Sequence, residues 1–409
     1  MTITDPNKIN QILERRVEKV YPSKEALKKV LLSGKKIKLY LGIDPTAIKL
    51  HLGHTVPLRT IQEFAELGHE VILLFGTGTV LVGDPSLRET GRKKISEKEI
   101  KKNIRTWKEQ VKSIIDFSKV KIKHNGDWLT KLKLKDIIYL GSLISAPQLF
   151  KRESFTRRIA AGDTVWYYET LYPLLQGYDS VVMNVDLEIG GTDQTFNMLV
   201  GREMQKKVNN KEKFVMALKM IAGTDGKNMS KTSGNCILLT ESAKDIYGKL
   251  MTVQDQLIPD YLEFFTKTTI EDIKKTKEDL RGDKNPMLLK KQMAFKATAL
   301  LKGEKEAQQA QQEFEKVCQG GQQPSKIPVF PLKKLSNNPI NIIGLLTETN
   351  LCSSRSEAKR LINQGCVELN NETIKQLNNI AIKTNDTLRV GKRKWIKFIP
   401  RHPERSRGI

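Results

Sequence analysis

Residues 35–78 read KKIKLYLGIDPTAIKLHLGHTVPLRTIQEFAELGHEVILLFGTG. Two short apolar runs, KIKLYLGID and VILLFGTG, bracket an amphipathic segment that reaches Gly68. Short apolar runs alternating with stretches of helical period predict a parallel sheet covered by helices. The pattern continues through VKIKH near 120, VVMNVD near 181 and FVMALKMI near 214, each expected as a strand. One α/β domain over residues 1–222 accounts for it.

Beyond Thr240 the strand signal stops. ESAKDIYGKLMTVQDQLIPDYLEFFT and the text to about Cys318 carry a helical period, which predicts an α-helical domain over 223–320. QGGQQPSKIPVFPLKKLSNNPI has no period and the composition of a linker, 321–338. A small module follows over 339–400, and RHPERSRGI, 401–409, reads as a basic tail.

The 409 residues exceed one ordinary core, and 39% hydrophobic residues suffice for several. With 70 Lys+Arg against 46 Asp+Glu, the net charge of +24 favours polyanionic partners. Four scattered cysteines, Cys236, Cys318, Cys352 and Cys366, have no zinc spacing and read as reduced packing residues. The amino terminus lacks an export-signal core, and no stretch approaches the roughly 18 apolar residues of a membrane span. A cytosolic protein with no membrane partner is expected.

Two of only five histidines, His51 and His54, flank Leu52 and Gly53 just after the first strand. A helix start there leaves backbone N–H groups unpaired and partly positive, which suits phosphate. Gly53 would let a nucleotide approach the backbone, and both imidazoles could donate to phosphate oxygens as charge builds. Some 170 residues on, GKNMSKTSGN, 226–235, has no hydrophobic face and carries Lys227 and Lys231, as a mobile loop closing over a polyphosphate would. Tyr172, Gln176 and Asp179 recur at i, i+4 and i+7 among apolar residues, a polar stripe that needs partners. A structural network around a buried aspartate is the alternative reading of that stripe.

His51-Leu52-Gly53-His54 and Asn228-Met229-Ser230-Lys231-Thr232 resemble the two signature motifs of class I aminoacyl-tRNA synthetases, in that class's order. The second motif usually opens with lysine; here Asn228 stands there and Lys227 precedes it. YLGIDPTAIKLHLGH, VGDPS (82–86), YPLLQGYDS (172–180) and IGGTDQTFNMLVGRE (189–203) resemble the tyrosyl branch specifically. The resemblance implies a Rossmann-like parallel-sheet catalytic domain, an α-helical domain and a small α+β S4-like RNA-binding domain. It implies ATP-dependent activation of L-tyrosine and transfer of the tyrosyl group to tRNA(Tyr).

Residue by residue, the resemblance puts Tyr40 and Asp179 on the phenolic hydroxyl of tyrosine, and Asp84, Tyr172 and Gln176 on its ammonium group. Asp44, Thr46, His51, Gly53, His54, Gly191, Asp193 and Gln194 would serve ATP and the reacting carboxylate, with Asp193 on the ribose. Met229, Ser230, Lys231 and Thr232 belong to the phosphate loop, Lys227 beside them, and Arg88 and Arg92 match a pyrophosphate-contacting segment more weakly. A pocket built to pair a hydroxyl strands its own polar groups when phenylalanine enters. The reaction needs no protein nucleophile: the carboxylate attacks the α-phosphate, while His51, His54, Lys231 and Mg²⁺ stabilise charge. No Asp/Glu cluster dictates a metal cage, so no metal ligand is assigned, no tightly bound cofactor is expected, and magnesium should arrive with ATP.

In NLCSSRSEAKRLINQG, Ser354 and Glu357 form a capping box and Gly365 is placed to end the helix. Residues 351–409 hold 13 Lys+Arg and 5 Asp+Glu, a net +8. This pattern is similar to the S4 domain, and Arg355, Lys359, Arg360, Lys392, Arg393 and Lys394 are the candidate tRNA contacts. The family is a homodimer, and SAPQLFKRESFTRR (145–158) resembles its interface. Three rival readings remain: the tryptophanyl branch, a nucleotidyltransferase sharing the HxGH site, and a non-catalytic RNA-binding relative.

Overall fold

The computed structural model describes residues 2–84, 96–227, 229, 234–282, 285–320, 322–325, 327–391 and 394–400. It divides into two compact units, Met1–Ala307 and Gln308–Ile409. Arg88, Arg92, Asn228, Ser230, Lys231, Thr232, Lys392, Arg393 and the tail 401–409 lie outside the described residues.

The first unit is built on a six-stranded sheet: β1 (Val17–Tyr21), β2 (Lys38–Ile43), β3 (Glu70–Phe75), β4 (Val120–His124), β5 (Leu187–Gly191) and β6 (Phe214–Leu218). Their spatial order is β1-β6-β5-β2-β3-β4, parallel except for β1, which runs antiparallel to β6 at one edge. From β2 the chain steps outward to β3 and β4, then returns to lay β5 on the other flank of β2. The order therefore reverses between β2 and β5, and ligands of open α/β sheets bind at such a switch point, beyond the carboxyl ends of the strands. The central strands are buried on both faces: Val71, Ile72, Leu73, Leu74 and Phe75 are all core, which is why β3 reads as an unbroken apolar run.

One expected strand is corrected. VVMNVD is not extended: residues through Met183 finish the helix Leu171–Met183, Asn184 caps it in the left-handed conformation, and the strand is Leu187–Gly191. A short apolar run has the same composition in a buried helix end as in a strand, so periodicity does not separate them.

Helices Ala243–Leu250, Ile258–Phe265, Ile270–Arg281, Pro286–Lys302 and Glu304–Phe314 follow the sheet. Ser242, Thr269 and Asn285 cap three of them with side-chain oxygens. Tyr247, Tyr261 and Phe265 fill the interior.

In the second unit, helices Ile342–Glu348 and Arg355–Asn363 pack around Leu345, Leu346, Ile362, Val367, Leu388 and Phe398. Ser354 Oγ accepts the Glu357 N–H at 3.1 Å, but the Glu357 carboxylate turns to Ser353 instead of closing the box on Ser354. Gly365, at φ +65°, takes the chain out of the helix. Within 321–338, expected as linker, Val329–Pro331 adds a parallel edge strand to Lys394–Ile399. Edge pairing is made by backbone groups and needs no hydrophobic period. All four cysteines are free thiols, with Cys236 and Cys352 buried.

Candidate active site

A cavity of about 670 Å³ opens at the switch point. Among its lining residues are Tyr40, Asp44, Thr46, His51, Gly53, His54, Asp84, Tyr172, Gln176, Asp179, Gly191, Asp193, Gln194 and Met229. The fold thus gathers in one cavity candidates separated by up to 189 positions in the chain. Lys227 is exposed and lines none of it.

Alternation along β2 places Tyr40, Gly42 and the following Asp44 on one face. Tyr40 is 1% exposed. In the sheet register it lies beside Glu188 of β5, on the same face. The helix Leu171–Met183 covers that face with Tyr172, Gln176, Asp179 and Ser180. Asp179 is 2% exposed; its Oδ2 accepts from Asn125 Nδ2 at 3.0 Å and its Oδ1 from Trp128 Nε1 at 2.8 Å. Burial pushes its carboxyl well above the usual range, and those two N–H donors draw it partly back. Burial, with Glu188 and Asp179 nearby, likewise holds the Tyr40 phenol well above its usual value, so it stays protonated.

Gln176 donates its Nε2 to Glu188 Oε1 at 3.0 Å, which fixes the amide orientation because a carboxylate only accepts. Its Oε1 is then buried without a protein partner among the described residues. A buried acceptor in that condition matches an N–H or ammonium donor on a ligand. Asp44 is held by Thr79 Oγ1 at 2.7 Å and by the Tyr172 hydroxyl at 3.1 Å. Asp84 accepts from Arg152 at 3.0 Å and from Gln194 Nε2 at 2.6 Å, and Gln194 also reaches Asp193 Oδ2 at 3.0 Å. Burial raises the Asp193 carboxyl.

His51 and His54 stand with ring centroids 3.9 Å apart at the start of the short helical turn Leu52–His54, which runs into the helix Thr55–Glu66. The His51 N–H is 3.3 Å from His54 Nδ1. A Cβ on Gly53 would lie 3.1 Å from the His51 ring. The segment Ile237–Leu239 pairs through its backbone with the first motif: Leu52 N–H donates to Ile237 O at 2.8 Å and Leu239 N–H to Leu50 O at 2.9 Å. His51 bridges to Leu238 there, and Met229 lines the same cavity as the two histidines.

Sequence reasoning missed Asn125, Trp128, Arg152, Ser180, Glu188 and Lys213. Glu188 had a legible signal, a carboxylate between Leu187 and Ile189 in the apolar run LEIGG. Lys213, in NNKEKFVMAL, reads like any solvated lysine and becomes distinctive only when its burial is seen. In the second unit, Arg355, Lys359 and Arg360 are exposed on the helix Arg355–Asn363. Lys394 turns its ammonium to the Leu351 carbonyl at 2.7 Å.

Residues 32–319 match the family model described as tRNA synthetases class I (W and Y), and residues 345–380 match the S4 domain. The chain is 39% identical over 395 residues to the tyrosine–tRNA ligase of Dehalococcoides mccartyi strain CBDB1, covering 96% of this chain and 99% of that one. It is 37% identical to the tyrosine–tRNA ligase of Thermotoga maritima, covering 96% and 98%. Among solved structures it is similar to a C-terminally truncated Aspergillus nidulans mitochondrial tyrosyl-tRNA synthetase, with TM-score 0.64 and 22% identity over 76% of this chain and 93% of that one. It is also similar to the Archaeoglobus fulgidus tyrosyl-tRNA synthetase complexed with L-tyrosine, with TM-score 0.60 and 19% identity over 75% and 100%. At those identities the structures speak for the fold.

Proposed function

The chain belongs to the class I tRNA synthetases of the tryptophan and tyrosine family, and we propose a division of labour in its cavity for a tyrosine–tRNA ligase. It activates L-tyrosine with ATP and transfers the tyrosyl group to tRNA. The tryptophanyl alternative is set aside, because the relatives matched over nearly their whole length are tyrosine–tRNA ligases.

The observation that carries the pocket assignment is the unpartnered Oε1 of Gln176 in the wall of a cavity that Tyr40 and Asp179 also line. In this reading the ammonium group of tyrosine donates to Gln176 Oε1 and to Asp84. The phenolic hydroxyl lies between Tyr40 and Asp179. The substrate carboxylate then faces His51 and His54, where the α-phosphate of ATP is placed for attack, and Asp193 and Gln194 take the ribose side. Catalysis is alignment plus hydrogen bonding to oxygens that gain charge as pyrophosphate leaves. Thr46, Gly53, Gly191 and Met229 shape the nucleotide side, with Ser230, Lys231 and Thr232 assigned to the phosphates by motif.

No group of three or more His, Cys, Asp or Glu side chains among the described residues is arranged to hold a metal ion. We therefore assign magnesium to ATP, as part of the substrate. The helix Arg355–Asn363 is proposed to meet the tRNA backbone through Arg355, Lys359 and Arg360. Phe150 within 145–158 is exposed, as are Leu134, Ile138 and Tyr139 before it in the chain and Ile159, Trp166 and Tyr167 after it, and exposed apolar side chains at this density support a homodimer through this part of the chain. The setting proposed is the cytoplasm, where tRNA is charged; no helix among the described residues is long and apolar enough to cross a membrane.

Pyrophosphate exchange into ATP, run with tyrosine, phenylalanine and tryptophan in turn, tests the reading. Exchange with tyrosine alone is expected. Exchange with none, from folded protein that still binds tRNA, would favour the non-catalytic RNA-binding relative.

A further inference from the structure

Behind the hydroxyl end of the cavity lies a charged group that the reaction scheme does not use. Lys213, immediately before β6, is 1% exposed. Its ammonium ion-pairs with Glu188, donates to Ser180 Oγ at 2.6 Å, and sits 5.9 Å from the centre of the Tyr40 ring. Space for it is made where two helices cross at Gly177 and Gly201: a Cβ on Gly201 would lie 2.8 Å from Lys213 Nζ and 3.1 Å from Ser180 Oγ. Burying an ammonium is expensive unless every proton finds an acceptor. Glu188 by itself does not serve three ammonium protons; Ser180 Oγ takes a second one, and that acceptance constrains what Ser180 does with its own proton.

Ser180 Oγ is 2.9 Å from the Tyr40 hydroxyl and 3.3 Å from Glu188 Oε2. An ammonium donates and cannot accept, so Ser180 must receive the Lys213 N–H and pass its single proton elsewhere. Two acceptors are open to that proton, Glu188 Oε2 at 3.3 Å and the Tyr40 oxygen at 2.9 Å, and the shorter contact is the one to Tyr40.

We propose that Lys213 is a positioning residue for substrate recognition: acting through Ser180, it turns the Tyr40 hydroxyl into a fixed donor aimed at the 4-substituent of the bound amino acid. This rests on the reading that Tyr40 and Asp179 meet the phenolic hydroxyl. Asp179, ionised, offers only acceptors. The pocket therefore demands a group that accepts from Tyr40 and donates to Asp179 at one atom, which a hydroxyl does. An aromatic amine donates well but accepts poorly, so 4-aminophenylalanine meets a donor facing a donor.

The test compares KM for tyrosine and for 4-aminophenylalanine in pyrophosphate exchange by the full-length enzyme. The variants are Ser180→Ala, which cuts the relay and leaves the ion pair whole, and the double variant Lys213→Met/Glu188→Gln, which removes both charges together and, by loosening Gln176, weakens the shared ammonium contact of both ligands equally, so that only their ratio is read. In each, Tyr40 is released to accept. The preference for tyrosine over the amine is expected to fall about tenfold, the weight of one hydrogen bond, with kcat for tyrosine little changed. Equal weakening of both ligands, with the ratio kept, would overturn the proposal and leave Lys213 a structural group. Tyr40→Phe separates the two levels: if it leaves selectivity for tyrosine over phenylalanine intact, the reading of the pocket itself fails. If it lowers that selectivity while the relay variants change no ratio, only the role of Lys213 fails.

Discussion

Trp128 donates its indole N–H to Asp179 Oδ1 across 2.8 Å, from a short helix that lies on the far side of β4 in the chain. The carboxylate proposed to read the substrate is thereby held from outside its own helix. Replacing Trp128 by Phe keeps most of the ring and removes the donor. One hydrogen bond to a charged group is worth about 1.5–3 kcal/mol. The dissociation constant for tyrosine should rise at least about tenfold while the rate at saturation changes little, as equilibrium dialysis and exchange kinetics would report.

Asp179 also predicts a pH dependence. The ionised carboxyl accepts the phenolic proton more strongly than the protonated one, and burial raises its pKa above the usual range. Affinity for tyrosine should therefore fall as the pH is lowered through that raised value, starting above the pH at which an exposed aspartate titrates. The effect on stability has the opposite sign: a carboxyl whose pKa is higher folded than unfolded contributes stability at low pH, lost as the pH rises through the folded value. Tyrosine titrations and thermal melts across the same pH series would display both slopes.

His51 and His54 should act on rate and leave amino-acid binding alone. Either one changed to Ala removes a donor aimed at the nucleotide side, and loss of a single such donor typically lowers kcat by about 10²–10³. Stopped-flow formation of the adenylate should slow by that order, with tyrosine binding retained. A large loss of tyrosine affinity would instead place the histidines on the amino acid.

Arg59 predicts a stability effect far from the chemistry. Its guanidinium donates to Phe264 O at 2.6 Å and Thr266 O at 2.8 Å, while Arg15 reaches Leu262 O at 3.0 Å. The last carbonyls of the helix Ile258–Phe265, which no residue of their own helix satisfies, are thus taken by side chains of the sheet domain. Arg59→Ala should destabilise by about 1–3 kcal/mol, because the buried Phe264 carbonyl loses its side-chain donor while Thr266 O keeps the one from Arg15. Denaturant titration would show it as a lower midpoint.

Arg355→Ala with Lys359→Ala should leave exchange untouched and weaken tRNA binding. Each lost phosphate contact should also lower the slope of log K against log salt by about one. Unchanged charging at moderate salt would remove this helix from the tRNA interface.

Much of the fold was legible because the signals for it are local. The alternation around 35–78, the cap at Ser354 and the stop at Gly365 each rest on a few neighbouring residues. VVMNVD was misread for the same reason, since burial in a helix end and burial in a strand select the same side chains. The edge strand at Val329–Pro331 was unreadable because its pairing is made by backbone atoms.

The motifs around His51, Tyr172 and Gly191 carried a family resemblance, and the chemistry came with that resemblance; residue types by themselves gave a phosphate-suited helix start and a polar stripe in need of partners. Only the tertiary structure decided who holds those groups in place. Reversal of strand order between β2 and β5 sets Tyr40 beside Glu188, and the approach of two helices at Gly177 and Gly201 admits the Lys213 ammonium behind them. A lysine's charge is the same in every sequence; its worth depends on burial and on which oxygens surround it, and both are properties of packing.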